Sequence, residues 1–244
     1  MAEAGLWRRL AAEFLGSALL ATVVIGSGIA AQRLSPGQTG LELFENAAAT
    51  AAGLYALILM LGPISGGHFN PVVSVVDAAF GGTRWRTALL YLPVQVAGCV
   101  CGAVLANLMF SLSAVTVSSH NRASGAHFLS EVVATAGLIL VIFCLVRTQR
   151  NSVIPAAVGA YIGAAYFFTS STSFANPAIT IGRVFSNTFA GIAPSSAPSF
   201  IAAQILGGAI AFGLIMALYP RPALASSPYG EPMPGRPSPA EEDL

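Results

Sequence analysis

The sequence predicts an all-α membrane protein with six transmembrane helices and two re-entrant half-helices, arranged as an inverted repeat of three spans. Three observations lead to this fold class: an apolar composition, six long apolar segments and two Asn-Pro motifs at matching places. Of the 244 residues, 55% are hydrophobic and 9% are charged, and the mean hydropathy is +0.73. Because a soluble domain carries about 25% charged residues, this chain has too few charges to cover a water-exposed surface.

The charged and sulfur-containing residues exclude several classes of function. The 11 basic residues are all arginines, oppose 10 acids and form no cluster, so no nucleic-acid partner is expected. Three cysteines are too few for a disulfide framework. Neither the spacing of a metal site nor a nucleophile–base pair is present, so we expect no metal and no enzymatic activity.

Six apolar segments approach the ~20 residues that a membrane helix requires. These candidate spans are Leu10–Ala31, Leu43–Leu61, Thr87–Phe110, Phe128–Val146, Val153–Phe168 and Phe200–Tyr219. Eight arginines fall on the side of the termini and only three on the other side. By the positive-inside rule both termini are expected in the cytoplasm, with the protein in the inner (plasma) membrane. Glu13 interrupts the first segment, which argues against a cleaved signal peptide.

The chain divides into one membrane domain and a tail. The domain is predicted over residues 1–219, with one repeat over about 1–115 and a second over about 125–219. Residues 220–244 hold 7 of the 15 prolines and end in acidic residues. A segment of this composition is expected to be a disordered cytoplasmic tail.

The two repeats share three landmarks, which recur in the same order and at a similar spacing. The landmarks are Glu13 and Glu131, then Asn70-Pro71 and Asn176-Pro177, then Gln95 and Gln204. Since each repeat has three spans, the second must cross the membrane in the opposite sense to the first. Folds of this kind place the permeation site at the midplane, where the repeats meet.

Each Asn-Pro motif is typical of a helix start, because Asn is a strong N-cap and Pro is favoured at the first position. The apolar stretches that follow, Val72–Phe80 and Ala178–Phe185, give helices of about 15 Å, half of the ~30 Å hydrocarbon core. Two such half-helices are expected to meet at the midplane with their positive N-terminal ends. Asn amides and loop carbonyls would then bind a neutral hydroxylated molecule, while the positive ends repel cations. The carbonyls are assigned to Gly66, Gly67, His68, Ser171 and Thr172.

The segments SGGHFNPVV and SFANPAIT, together with Glu13 and Glu131, resemble the two pore loops and the loop-holding carboxylates of the aquaporin (major intrinsic protein) family. The resemblance implies a passive channel for small uncharged solutes and water, with a pore in each protomer of a homotetramer and no cofactor. The residues that match the pore motifs are Asn70, Pro71, Val72, Asn176, Pro177 and Ala178.

The constriction departs from the pattern of the water and glycerol channels of this family. Three residues after the second motif Asn, where those members carry Arg, this chain has Ile179. The other constriction positions, carried over by their distance from the motifs, are Thr50, Ala164 and Ser173, none of them aromatic. We therefore expect a wider and more apolar mouth, with Val72 adding bulk near the centre.

Two charged residues beyond the motifs have more than one interpretation. Arg183 is expected at the outer interface in water, and the alternative is a displaced filter arginine in the outer vestibule. Asp77 is expected near the cytoplasmic mouth, paired with Arg84 or Arg86.

The missing filter arginine and the run NPAITIGRVFSNTFAGIAPSSAPSFIAAQ resemble a bacterial, aquaglyceroporin-like branch found with arsenic-resistance functions. That resemblance implies arsenite, methylated arsenicals or polyols as solutes, with water as co-permeant. Three alternatives stay open: a water and glycerol channel without an arsenical role, an ion-coupled secondary transporter, and a membrane enzyme or structural protein without flux.

Overall fold

The computed structural model describes residues 4–219, which form eight α-helices and one 3-10 turn at Asn151–Val153. The helices are α1 (Leu6–Leu34), α2 (Thr39–Ser65), α3 (Pro71–Phe80), α4 (Trp85–Met109), α5 (Gly125–Arg147), α6 (Ile154–Phe168), α7 (Pro177–Arg183) and α8 (Ala197–Leu218). The tail predicted over 220–244 lies outside the described residues.

Six of these helices are long and apolar enough to cross a membrane: α1, α2, α4, α5, α6 with its preceding 3-10 turn, and α8. Each corresponds to one of the six predicted spans, and the predicted fold class is confirmed. The helices extend beyond several predicted ends. For example, α2 continues past Pro63 to Ser65, because a proline inside a membrane helix is tolerated where neighbouring groups satisfy the freed backbone.

The two remaining helices are half-length and begin at the Asn-Pro motifs. Helix α3 has 10 residues and starts at Pro71, and α7 has 7 residues and starts at Pro177. Gly81 ends α3 in the left-handed conformation at φ 84°, which glycine adopts without strain. The second half-helix is shorter than predicted, since it ends at Arg183 rather than at Phe185.

The helix contacts repeat between the two halves of the chain. Helix α1 packs against α2 and α4, and α5 packs in the same way against α6 and α8. Contacts between α2 and α6 join the halves, while α3 and α7 both lie against α4 and α8. The two half-helices therefore lie between α4 and α8.

The contact between α1 and α4 depends on small residues in α4. A Cβ atom placed on Gly102 would overlap the carbonyl oxygen of Ala18, and one on Gly98 would overlap that of Phe14. Small residues at this spacing let two membrane helices approach closely. The close approach brings Glu13 of α1 within reach of Gln95 of α4.

We expect Gly102→Ala to lower the free energy of unfolding by about 1–3 kcal/mol, because the added methyl group must displace the α1 backbone. Gly213→Ala in α8 is the matched control, since a Cβ atom there has no neighbour within 4 Å. Thermal unfolding of both purified variants in detergent measures the difference. Equal unfolding temperatures would contradict the close approach.

Candidate functional site

The first pore loop is fastened to a buried carboxylate in α1. Glu13 is completely buried. Its Oε1 accepts hydrogen bonds from Ser65 Oγ at 2.6 Å and from the His68 amide at 3.0 Å. Its Oε2 accepts from the Phe69 amide at 2.8 Å and from Gln95 Nε2 at 2.7 Å. Irregular backbone inside a membrane requires partners of this kind.

The second pore loop repeats the same four bonds to Glu131 of α5. Oε1 accepts from Ser171 Oγ at 2.6 Å and from the Phe174 amide at 2.9 Å. Oε2 accepts from the Ala175 amide at 2.9 Å and from Gln204 Nε2 at 2.6 Å. The inverted repeat therefore extends to individual hydrogen bonds, and both glutamates act here as structural acceptors.

The loop backbones also match in conformation. Three residues in each loop have positive φ at corresponding places: Gly66, Gly67 and Phe69 in the first loop, and Thr172, Ser173 and Ala175 in the second. Residues other than glycine rarely adopt this region, and it persists only where the surroundings hold it. The hydrogen bonds to Glu131 hold it in the second loop.

The two motif asparagines cap their own half-helices. Asn70 Oδ1 accepts from the Val72 amide at 3.0 Å, and Asn176 Oδ1 accepts from the Ala178 amide at 2.9 Å. These bonds satisfy amides that would otherwise be unpaired in the first turn of each helix.

The same asparagines join the two loops to each other. Asn70 Nδ2 donates to the Ala175 carbonyl at 2.7 Å, and Asn176 Nδ2 donates to the Phe69 carbonyl at 2.7 Å. The half-helices therefore meet with their N-termini. Because an amide nitrogen carries two hydrogens, each asparagine keeps one donor for another partner, and both side chains line the cavity described next.

A cavity of about 500 Å³ runs past this junction. Its lining extends from Asp77 and Gly82 at one end to Ile179 and Arg183 at the other. The predicted pore residues in its lining are Thr50, Gly66, Gly67, His68, Asn70, Ser173, Asn176, Ile179 and Arg183. The motif prolines, Ala178, Ser171 and Thr172 contribute no lining surface among the described residues.

Two sequence predictions about the lining are wrong. Val72 does not narrow the centre, because its side chain contacts Gly208 of α8, and Val73 lines the cavity instead. Ala164 is exposed on another face of α6 and does not line the cavity. The face of α6 towards the cavity carries Ile154, Val158, Ile162 and Tyr166, each four residues after the last.

Tyr166 therefore lines the cavity on the helix where Ala164 was expected, so the lining contributed by α6 does include an aromatic residue. Its hydroxyl lies 3.1 Å from Thr50 Oγ1, and both side chains are buried. Ile179 is buried and lines the same region. The four-residue spacing on α6 was the available signal for Tyr166, and transfer by distance from the Asn-Pro motif missed it.

Arg183 is not at an interface with water, because its relative exposure is only 2%. Its Nε donates to the Ala190 carbonyl, and its guanidinium carbon lies 3.4 Å from the centre of the Phe174 ring. The side chain lines the cavity. The interpretation that placed Arg183 in water therefore does not agree with the structure, and a role in an outer vestibule stays a prediction.

At the opposite end, Asp77 lines the cavity beside His68. Asp77 Oδ2 lies 3.6 Å from His68 Nε2, and His68 Nδ1 lies 3.1 Å from Ser74 Oγ. The expected pair with Arg84 or Arg86 is wrong, since no such ion pair occurs within residues 4–219. The imidazole as well as the backbone of His68 therefore belongs to this mouth. Across the same range, no three His, Cys, Asp or Glu side chains are grouped as metal ligands.

Comparison with known proteins gives four consistent similarities. The family model described as major intrinsic protein matches residues 1–175. Aquaglyceroporin AqpS of Rhizobium meliloti is 46% identical over 88% of this chain and 91% of its own length. The glycerol uptake facilitator protein of Pseudomonas aeruginosa is 31% identical over 91% and 92%. The crystal structure of the aquaglyceroporin from Plasmodium falciparum shares the fold, with a TM-score of 0.69, 18% identity and coverage of 88% and 97%.

We expect Tyr166→Ala to increase glycerol flux relative to water flux, because it removes the aromatic ring and the hydroxyl that bonds Thr50. Ala164→Val is the matched control on the same helix and should leave both fluxes near the wild-type value. Light-scattering measurements on proteoliposomes give the two rates. A larger effect of Ala164→Val than of Tyr166→Ala would show that Ala164 lines the pore, as expected from the sequence.

Proposed function

This chain belongs to the major intrinsic protein family and is an aquaglyceroporin-type channel rather than an enzyme, and from this premise we propose that it conducts small uncharged hydroxylated solutes passively. The solutes we propose are polyols such as glycerol and the trihydroxy form of arsenite with its methylated relatives, with water as co-permeant. The observation that carries the proposal is the pair of asparagines, joined across the two loops and lining one cavity.

The junction of the half-helices supplies the hydrogen bonds that replace a solute's water. Each asparagine has one amide hydrogen beyond the bond to the opposite loop. The loop residues Gly66, Gly67 and His68 follow the cavity next to Asn70. A molecule with several hydroxyl groups both donates and accepts hydrogen bonds, so it can exchange its hydration shell for these groups.

Charge at the junction and at one mouth opposes the passage of cations. Both half-helices direct their N-termini, with about half a positive charge each, at the same point. Arg183 adds a full charge in the lining of the same cavity. Positive ends of half-helices and an arginine are recognised barriers to protons and cations in pores of this kind.

The constriction combines polar and apolar surface. Tyr166 and Thr50 present a hydroxyl pair, whereas Ile179 presents a branched apolar side chain. A polyol offers hydroxyl groups to Tyr166 and Thr50 and an apolar carbon surface to Ile179. The uncharged trihydroxide of arsenic likewise offers hydroxyl groups to that pair and a polarisable arsenic centre to Ile179. This match supports the finer choice of solutes.

An ion-coupled transporter fits the same residues less well. Coupling requires an ionisable group near the midplane that binds and releases the ion. Glu13 and Glu131 are the buried acids of the spanning helices closest to the junction, and each already accepts four hydrogen bonds from its loop and a glutamine. Neither carboxylate therefore has a free oxygen for a transported ion.

We also propose the assembly and orientation that the family resemblance and the sequence favour. The protein would form a homotetramer in the inner (plasma) membrane with both termini in the cytoplasm. The arginine distribution supports the orientation, with eight residues on the side of the termini and three on the other.

The deciding experiment is stopped-flow swelling of proteoliposomes challenged in turn with water, glycerol and arsenite. We expect fluxes well above those of protein-free vesicles, linear in solute concentration and unchanged when a protonophore collapses the proton gradient. Flux that saturates and stops with the proton gradient would show a transporter instead. Water flux without glycerol or arsenite flux would contradict the solute class.

Asn176→Asp should reduce solute flux about tenfold or more. The aspartate retains a capping oxygen but loses the donor to the Phe69 carbonyl, and it places a negative charge at the meeting of the half-helices; a tenfold loss corresponds to only ~1.4 kcal/mol. Asn187→Asp, an exposed asparagine outside the cavity lining, is the matched control. Equal rates in the two variants would remove the asparagine pair from the mechanism.

A further inference from the structure

A guanidinium group without a counter-charge lies at one end of the cavity. Arg183 is 2% exposed and lines the cavity. Among residues 4–219 no carboxylate lies within 4 Å of it. A buried charge is costly unless it is paired, and the described part of the protein leaves this charge uncompensated.

Most hydrogen-bond donors of Arg183 have no acceptor in the described part of the protein. Nε donates to the Ala190 carbonyl, and the ring of Phe174 covers one face of the guanidinium. A guanidinium has five N–H groups, so the donors on both terminal nitrogens stay available in a side chain that lines the cavity.

A second polar residue near this end also has an unsatisfied hydroxyl. Ser173 belongs to the lining of the same cavity, and its buried hydroxyl has no hydrogen-bond partner among residues 4–219. Ser173 immediately precedes Phe174, the residue on which Arg183 lies. The second pore loop therefore brings Ser173 and Arg183 to the same end of the cavity.

A second arginine strengthens the positive charge without entering the cavity. The guanidinium carbon of Arg122 lies 5.5 Å from the centre of the same Phe174 ring. Its Nε and Nη2 donate to the carbonyls of Gly191 at 2.8 Å and Phe189 at 3.0 Å. Arg122 therefore holds the connecting segment and is absent from the cavity lining.

We propose that the Arg183 end of the cavity is a binding site for a small oxyanion, which obstructs the pore from that mouth. The inference rests on the proposed function, because obstruction presupposes solute flux through this cavity. Two oxygens of one anion match the two terminal nitrogens of a guanidinium, and the Ser173 hydroxyl donates to the same anion. The anion stays at the mouth, because Ile179 next to it is apolar and offers no replacement for its water.

The test is glycerol flux into proteoliposomes in sodium phosphate, compared with sodium chloride of equal ionic strength and osmolality. Phosphate is present on both sides of the membrane, so the orientation of the protein does not affect the result. We expect phosphate to slow wild-type flux in a concentration-dependent manner. Equal flux in both salts would overturn the proposal.

Arg183→Gln should raise the phosphate concentration for half-inhibition by about tenfold or more, because charge-assisted hydrogen bonds are lost. Each variant is compared with its own flux in chloride, so a change in its basal rate does not matter. Arg122→Gln is the matched control, a second arginine on the same ring but outside the cavity, and should change half-inhibition less than about threefold. Equal shifts in the two variants would overturn the assignment to Arg183.

Two further measurements keep the proposal testable if Arg183→Gln fails to fold. Ser173→Ala removes only the unpaired hydroxyl and should weaken inhibition by phosphate; unchanged inhibition would contradict the site. Phosphate should also raise the unfolding temperature of the detergent-solubilised wild-type protein, relative to chloride, by more than it raises that of Ser173→Ala, because the general stabilisation by excluded phosphate is common to both. That binding measurement needs no flux, so it distinguishes failure of the anion site from failure of the proposed channel function.

Discussion

The structure depends on two buried carboxylates that each accept four hydrogen bonds. Without water to satisfy backbone groups, an irregular loop inside a membrane is stable only if protein groups bind it. Glu13 and Glu131 each bind two loop amides, one serine at or just before the start of the loop segment, and one glutamine from a neighbouring helix. These bonds fix the depth of the loops and hence the place where the half-helices begin.

The cavity follows from this anchoring. Once the loops are fixed, Asn70 and Asn176 reach across to each other's loop carbonyl, and their own helices start beside the cavity. Helix α4 carries Gln95, the fourth donor to the Glu13 carboxylate. The close contact between α1 and α4 at Gly102 therefore also supports the hydrogen bonds that hold the first loop. Packing of the outer helices and geometry of the site are therefore not independent.

The sequence predicted the fold and the central motif because both depend on patterns along the chain. Span length, the repeated Asn-Pro motif and the paired glutamates need no knowledge of how a helix is rotated. Which residues line the cavity depends on the rotation of each helix about its axis and on the length of the loops. The sequence patterns determine neither. For this reason Tyr166 was missed in favour of Ala164, and Val72 was expected at the centre although it contacts α8.

Charged residues were harder to place for a different reason. Arg183 was expected in water because an isolated arginine is costly to bury, but the Phe174 ring and the Ala190 carbonyl replace part of its hydration. Phe174 lies in the second pore loop, and Ala190 lies in the connection between α7 and α8. Asp77 likewise lies beside His68, a residue of the first loop, rather than beside the arginines that follow it.

The reciprocal bonds between the asparagines and the opposite loops have a consequence for biosynthesis. The ribosome delivers Phe69 and Asn70 to the membrane more than a hundred residues before Ala175 and Asn176 exist. Until then the Phe69 carbonyl and the Asn70 side-chain amide lack these hydrogen-bond partners at bilayer depth, where an unsatisfied polar group requires water or another protein. Until α7 has been synthesised, the first half therefore depends on water or on other protein to satisfy these two groups.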